Sequence, residues 1–258
     1  MNENIHPTAL ISPNATIGNN VKIASNVLIE DDVIIGDNCE IRNGAVIANG
    51  SRIGNNVKIY SYAIISSEPQ DLKYDNEKTY VYIGDNTEIR EFATINRGTH
   101  ATGRTIVGEN CLIMTYCHVA HDCHLGNNII MSNASQLGGH VIIEDWVVLG
   151  GVTKIHQFCK LGMHSMIGAD AKVVKDVAPY TLIDRKPAQV EGINKVGLRR
   201  RGYSNELIKE IEQFYDTILF SGFNNKDGIK EFLKREVISD EVKHCIEFIQ
   251  NSVRGIHR

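Results

Sequence analysis

An aliphatic residue recurs at every sixth position through most of this chain, and no other feature restricts its fold as strongly. Ile stands at 5, 11, 17, 23, 29, 35, 41, 47, 53, 59 and 65. The phase lapses, returns at Ile83, Ile89 and Ile95, lapses again, and then runs from Val107 to Val173. A six-residue step from 5 to 173 visits 29 positions, and all but Asp71, Glu77 and Ala101 are Ile, Leu, Val or Met. An amphipathic helix repeats every 3.6 residues and a half-buried strand every 2, so neither gives this pattern.

The residue after the aliphatic is often Gly, as at Gly18, Gly36, Gly54, Gly84, Gly108 and Gly126, and Asp or Asn commonly follows. These are turn residues: Gly carries no steric penalty at positive φ, and Asn and Asp tolerate it better than most. Each unit therefore reads as one short strand and one turn, and stacked units bury a single aliphatic ladder in a parallel β-helix. The phase survives both lapses, so the segments 66–82 and 96–106 read as loops leaving a continuous scaffold. Function concentrates on such loops.

Past Pro179 the period stops. Residues 184–201 read as a basic connection, and helical spacing follows. Ser204 is a candidate cap for a helix carrying Leu207, Ile208, Ile211, Tyr215, Ile218 and Leu219. A weaker helix is expected near 228–235, and Ser239 heads a third with Val242, Cys245, Ile246, Ile249 and Val253 on one face. The expected division is a β-helical domain over 1–183 and a helical C-terminal domain over 184–258.

Charge and cysteine narrow the classes further. Lys and Arg number 27 against 31 Asp and Glu, a net charge of −4, which argues against a dedicated nucleic-acid binder. There is no apolar run of about 18 residues, so no spanning helix is expected. The start, Met1 to His6, lacks the basic and apolar regions of a signal peptide, and a cytoplasmic location is expected. Cys39, Cys111, Cys117, Cys123 and Cys159 each fall four residues after a repeat aliphatic, the second inward position. They read as small core fillers, with neither a disulfide nor a metal site expected.

Histidine is distributed otherwise. His100, His118, His121, His124, His140, His156 and His164 crowd the middle of the chain beside the two lapses, and none takes the repeat's aliphatic position. Two chemistries suit such a cluster: zinc binding between subunits, as in γ-class carbonic anhydrases, which are also built from six-residue repeats, and general-base catalysis by one imidazole.

The repeat resembles that of the hexapeptide-repeat family, in which three units form one triangular coil of a left-handed helix. About nine coils at ~4.8 Å strand spacing give a prism on the order of 45 Å long. Four blocks then narrow the resemblance to the UDP-N-acetylglucosamine O-acyltransferases of lipid A biosynthesis. They are Gln70-Asp71-Leu72-Lys73-Tyr74, His118-Val119-Ala120-His121-Asp122-Cys123, Ile155-His156-Gln157-Phe158 and Gly197-Leu198-Arg199-Arg200-Arg201-Gly202.

That resemblance implies transfer of a 3-hydroxyacyl chain from acyl carrier protein to the 3-OH of UDP-N-acetylglucosamine, without metal or cofactor, in a homotrimer. A sugar hydroxyl is a weak nucleophile at neutral pH, so a base must take its proton. By match to the motif, His121 is that base, Asp122 its partner, and the backbone N–H of Gly139 the oxyanion donor. Substrate contacts are implied for Gln70, Asp71, Lys73, Asn96, His118, His140, His156, Gln157, Met166, Ala169, Asn194, Arg200 and Arg201. Within that set Asn194 and Arg201 would reach the nucleotide and Arg200 the acidic carrier protein. Asn96 stands where the family pattern has His, Val196 where it commonly has an acidic residue, and Ala169 where Gly usually sets acyl length. Some branches acylate a 3-amino sugar analogue, and that acceptor and the anhydrase chemistry stay open from the sequence.

Overall fold

A computed structural model describes residues 4–235 and 237–258; Met1–Glu3 of the expected first domain lie outside them. Among the described residues the repeat winds into three sheets of nine, eight and ten strands, parallel except for the last strand of the ten, and the fold is a left-handed parallel β-helix. The nine-stranded sheet runs from Leu10–Ile11 to Lys172–Val173, and the eight-stranded sheet from Thr16–Ile17 to Lys160–Leu161. The ten-stranded sheet runs from Lys22–Ile23 to Gln189–Ile193. Consecutive strands visit the three sheets in turn, so each sheet takes every third hexad.

Register explains the period. Ile95 pairs with Val119, Val119 with Leu137, Leu137 with Ile155 and Ile155 with Val173, and these five side chains are all buried. Each coil places one aliphatic on the last, so a polar residue at this position would cut the ladder on both sides. The six cysteines are buried free thiols; burial pushes Cys111, Cys117 and Cys159 up to about 11 and Cys123 and Cys245 up to about 12. Thiols so unwilling to ionise act as packing groups.

The two lapses are loops, shorter than the sequence suggested. Strands Ile64–Ser67 and Tyr80–Ile83 bound the first, leaving residues 68–79 outside the sheets. Thr94–Asn96 and Arg104–Val107 bound the second, leaving 97–103. The ends stay in the coil because their backbones still pair, Tyr80 with Arg104 for example. The repeat positions lacking an aliphatic, Asp71, Glu77 and Ala101, are those carried out in the loops. Both loops leave the edge that joins the nine-stranded to the eight-stranded sheet, on successive coils.

The coil continues as expected to residue 183, and the structure corrects the expectation that 184–201 is a plain connection. Val177 bridges Leu161 and Ile183 pairs with Ile167, so the ladder continues although its phase is lost. The corner between Val173 and Val177 is shorter than a hexad, which hides the next coil from a six-residue scan. Thr181–Asp184 then forms an antiparallel hairpin with Gln189–Ile193, and a first helix, α1 (Lys195–Arg200), follows.

The remaining helices are α2 (Asn205–Tyr215), continued by a π turn at Asp216–Phe220, α3 (Asn225–Phe232) and α4 (Asp240–Gln250). Ser204 and Ser239 cap α2 and α4 through their side chains. α3 starts earlier than expected because Asn224 accepts from the Asp227 N–H at 2.9 Å and sets its first turn. Val253 lies past the end of α4 and is 95% exposed, not on its buried face. Leu198, Ile211, Phe214, Tyr215, Phe232 and Val242 form a second core that closes over Ala178 and Tyr180 at the end of the prism.

Candidate active site

The edge carrying both loops also carries the histidine motif. His121 and Asp122 form the turn between strands His118–Val119 and His124–Leu125. One coil on, Gly139 and His140 occupy the equivalent turn, and one further on stand His156, Gln157 and Phe158. An 18-residue offset in the chain thus becomes one step along a single edge.

Asp122 organises the group. It takes up φ +60° and its carboxylate is fully enclosed. Oδ1 accepts from the Thr99 N–H at 3.0 Å and from the Thr102 hydroxyl; Oδ2 accepts from the Thr99 hydroxyl at 2.7 Å and lies 2.8 Å from His121 Nδ1. Two donors on each oxygen fill a carboxylate's acceptor capacity. Burial alone would raise its pKa, but the hydrogen bonds from His121, Thr102 and Thr99 together hold the carboxyl well below the usual carboxylate range. With Nδ1 of His121 committed to a permanent anion as N–H donor, the lone pair of Nε2 is left available as a base.

Nε2 faces Gly139. A Cβ built on Gly139 would stand 2.8 Å from it and 2.7 Å from Cε1, so only glycine leaves the ring its place. Among the described residues the Gly139 N–H makes no hydrogen bond. His140 packs edge-on against His121 with centroids 5.2 Å apart and stacks on Phe158 at 4.5 Å. Burial lowers the pKa of His140, against the pull of Asp122. His118 is lowered by burial and by His121, and its Nδ1 bonds the Thr94 hydroxyl at 2.8 Å. Both imidazoles beside His121 are thus shifted toward their neutral form.

Asp71 sits within the electrostatic reach of His140 and accepts from the Lys73 N–H at 3.0 Å; Gln70 and Lys73 are exposed on the same loop. Asn96 is buried, and its NH2 group is committed to the Glu68 carbonyl (2.6 Å) and Ser67 hydroxyl (2.9 Å), tying the first loop to the second. Arg97 joins them again through the Ser66 carbonyl (3.0 Å) and the Tyr74 hydroxyl (2.7 Å).

The other expected residues lie elsewhere. Met166 is in the ten-stranded sheet and Ala169 in the turn after it. Asn194 caps α1, accepting from the Gly197 N–H at 3.1 Å, and donates to the His164 carbonyl at 2.9 Å. Arg201 lies over Trp146, 5.1 Å from the ring centroid, while Arg200 is exposed. One chain does not bring these five to the edge of His121. Sequence reasoning gave no role to Thr99, Thr102 or Phe158. The threonines lie in a loop whose closure onto Asp122 no local pattern announces.

One ligand atom each from His121, Asp122 and His140 lie within 4.8 Å of one another, the size of a cation site. The donor set does not fit one: Asp122 has already spent its acceptor capacity on four protein donors, so the zinc alternative raised by the histidine cluster finds no carboxylate to offer a metal.

This same arrangement of coil and C-terminal helices occurs in known proteins. The profile described as "Bacterial transferase hexapeptide (six repeats)" matches residues 14–49, 32–67 and 104–139, and "Udp N-acetylglucosamine O-acyltransferase; Domain 2" matches 176–257. The acyl-[acyl-carrier-protein]–UDP-N-acetylglucosamine O-acyltransferase of Nautilia profundicola is 47% identical over 199 residues, covering 77% of this chain and 76% of its own. The chain belongs to the UDP-N-acetylglucosamine O-acyltransferases. The solved acyltransferase from Bacteroides fragilis superposes with a TM-score of 0.97 at 46% identity, over 98% of this chain and 100% of that one. The Arabidopsis acyltransferase does so at 0.86 and 31%, over 98% and 100%. The protein is therefore an acyltransferase. Among the described residues no helix is long and apolar enough to cross a membrane.

Proposed function

We propose that this acyltransferase moves a 3-hydroxyacyl chain from the thioester of acyl carrier protein to the 3-OH of UDP-N-acetylglucosamine, the first step of lipid A biosynthesis. The observation that carries the reading is the His121–Asp122 pair, locked by Thr99 and Thr102, with the His121 ring against Gly139, whose N–H makes no hydrogen bond among the described residues. In this reading the sugar hydroxyl oxygen attacks the thioester carbonyl carbon as Nε2 of His121 takes its proton. The Gly139 N–H donates to the oxyanion that develops on the carbonyl oxygen. Collapse breaks the C–S bond, and the proton on His121 goes to the departing thiolate of the carrier arm. Asp122 stays ionised throughout and stabilises the transient imidazolium.

The separation of the expected residues supports a composite site. Met166, Ala169, Asn194 and Arg201 line the ten-stranded sheet and its borders, whereas His121 stands on the opposite edge. A second copy laying its ten-stranded sheet against that edge completes the pocket, and a closed ring of three copies gives each edge such a partner. In that assembly Asp71, Lys73, His118, His140, His156 and Gln157 hold the sugar, Asn194 and Arg201 of a neighbouring copy the nucleotide, and Arg200 meets the carrier protein. Nothing in the reaction calls for a cofactor, and the cytoplasm is the compartment proposed for it.

The test is direct. Purified enzyme is given 3-hydroxyacyl carrier proteins of several chain lengths and either UDP-N-acetylglucosamine or its 3-amino analogue. Ester formation lost in His121→Ala bears the reading out; turnover of the 3-amino acceptor alone, or turnover that survives His121→Ala, overturns it.

A further inference from the structure

The end of the chain returns to the catalytic edge. Val174 follows strand Lys172–Val173, one coil beyond His156, and Arg254 packs over it: Nε and Nη2 donate to the Val174 carbonyl at 3.3 and 3.0 Å. Nη2 also lies 3.4 Å from Nδ1 of His156. Among the described residues the guanidinium forms no ion pair, and its other side-chain neighbour, the Cys159 thiol, is kept protonated by burial, so a full cation stands unneutralised beside a proposed substrate contact. Exposed Lys172 and Lys175 flank it, also without ion pairs among the described residues.

Arg254 is not needed to hold the tail. Buried Asp176 accepts from the Ser252 hydroxyl at 2.6 Å, and its backbone bridges Ile256. His257 is buried too, with Nε2 3.3 Å from the Val174 N–H and 3.2 Å from that of Lys175. This clip fixes the backbone on both sides of Arg254 and aims its fork along the edge. A guanidinium so preorganised recognises phosphate oxygens better than a flexible ammonium does.

Taking the acyl-transfer reading as its basis, we infer that Arg254 is a phosphate-binding residue of the active site, closing the edge at the end away from the two loops. Two phosphates enter this reaction: the pyrophosphate of the sugar nucleotide and the phosphodiester of the carrier protein's pantetheine arm. Steady-state kinetics on wild type, Arg254→Gln and Arg254→Lys separate them. Arg254→Gln is expected to raise KM for one substrate roughly 10- to 100-fold at nearly constant kcat and melting temperature, with part recovered in Arg254→Lys. If the affected substrate is the donor, the mutant stops distinguishing acyl-phosphopantetheine from acyl-pantetheine. If it is the acceptor, calorimetry shows weakened UDP-N-acetylglucosamine binding. Unchanged KM for both substrates, or a fall in melting temperature with kinetics intact, makes Arg254 a tail anchor and overturns the inference. A wild type inactive with both substrates sinks the acyl-transfer reading itself, a different result.

Discussion

Two edges of the same prism show how one backbone corner serves opposite ends. Between the eight- and ten-stranded sheets, Asn20, Asn38, Asn56, Asn86, Asn110 and Asn128 take the left-handed conformation coil after coil. The neighbouring N–H groups are satisfied by side chains of the next coil: Asn19 donates to Asp37 at 2.7 Å, Glu109 to Asn127 at 2.8 Å and Asn127 to Asp145 at 2.8 Å. Between the nine- and eight-stranded sheets, Asp122, His140 and Phe158 hold the same conformation, at φ +60°, +60° and +64°. Here the donors turn inward to one carboxylate, and an imidazole and a backbone N–H are left over. An edge that saturates its own polar groups supports the coil, and an edge that leaves some unsatisfied can bind and react.

Substitutions on the two edges should separate along that line. His121→Ala is expected to cost about 10²- to 10⁴-fold in kcat, the usual contribution of a positioned base, with melting temperature and assembly unchanged. Unfolding on this substitution would make His121 structural and erase the contrast. Asp122→Asn should lower kcat by roughly 10²-fold, since the amide cannot hold a cationic imidazole.

Asp122 carries a stability signature as well. Its folded pKa is depressed, so its contribution is fully present above about pH 4, where an unfolded Asp is ionised, and is lost as pH falls below that. Denaturant unfolding from pH 7 down to pH 3 should show wild type losing stability in this window and Asp122→Asn losing less. Equal slopes would separate the carboxylate's charge from the stability of the edge.

Gly139→Ala should reduce kcat by about tenfold, because the new methyl meets the His121 ring while the backbone conformation stays open to alanine. Its crystal structure should show a displaced imidazole. On the supporting edge, Asn127→Ala removes one acceptor from the Glu109 N–H and should cost only about 1 kcal/mol of stability, with kcat and KM unmoved. A kinetic effect there would mean that the two edges are coupled through the prism.

Much of the site was legible because the period numbers the coils. Once every hexad is one face, residues 121, 139 and 157, eighteen apart, must stack on one edge, and the loops holding Asp71 and Thr99 must leave from it. Asn96, by contrast, reads as a substrate contact but spends its NH2 group holding the first loop to the second. The strand Gln189–Ile193 reads as plain connection because it pairs antiparallel and carries no six-residue phase. Arg254 escaped notice because nothing in an isolated Arg-Gly pair says where a tail will dock.

The sequence by itself determined the coil, its single aliphatic ladder, the two loops and the edge from which they depart. These follow from local rules: a turn every six residues and one buried side chain per turn. Only the tertiary structure decided the protonation and aim of His121, the proposed base. Three donors from a loop some twenty residues away, and the neighbouring His121, converge on Asp122, and that carboxylate's charge depends on their geometry and on burial. It also decided that the last residues of the chain meet the edge that carries His121, since a contact across nearly a hundred residues is set by packing at the prism's end.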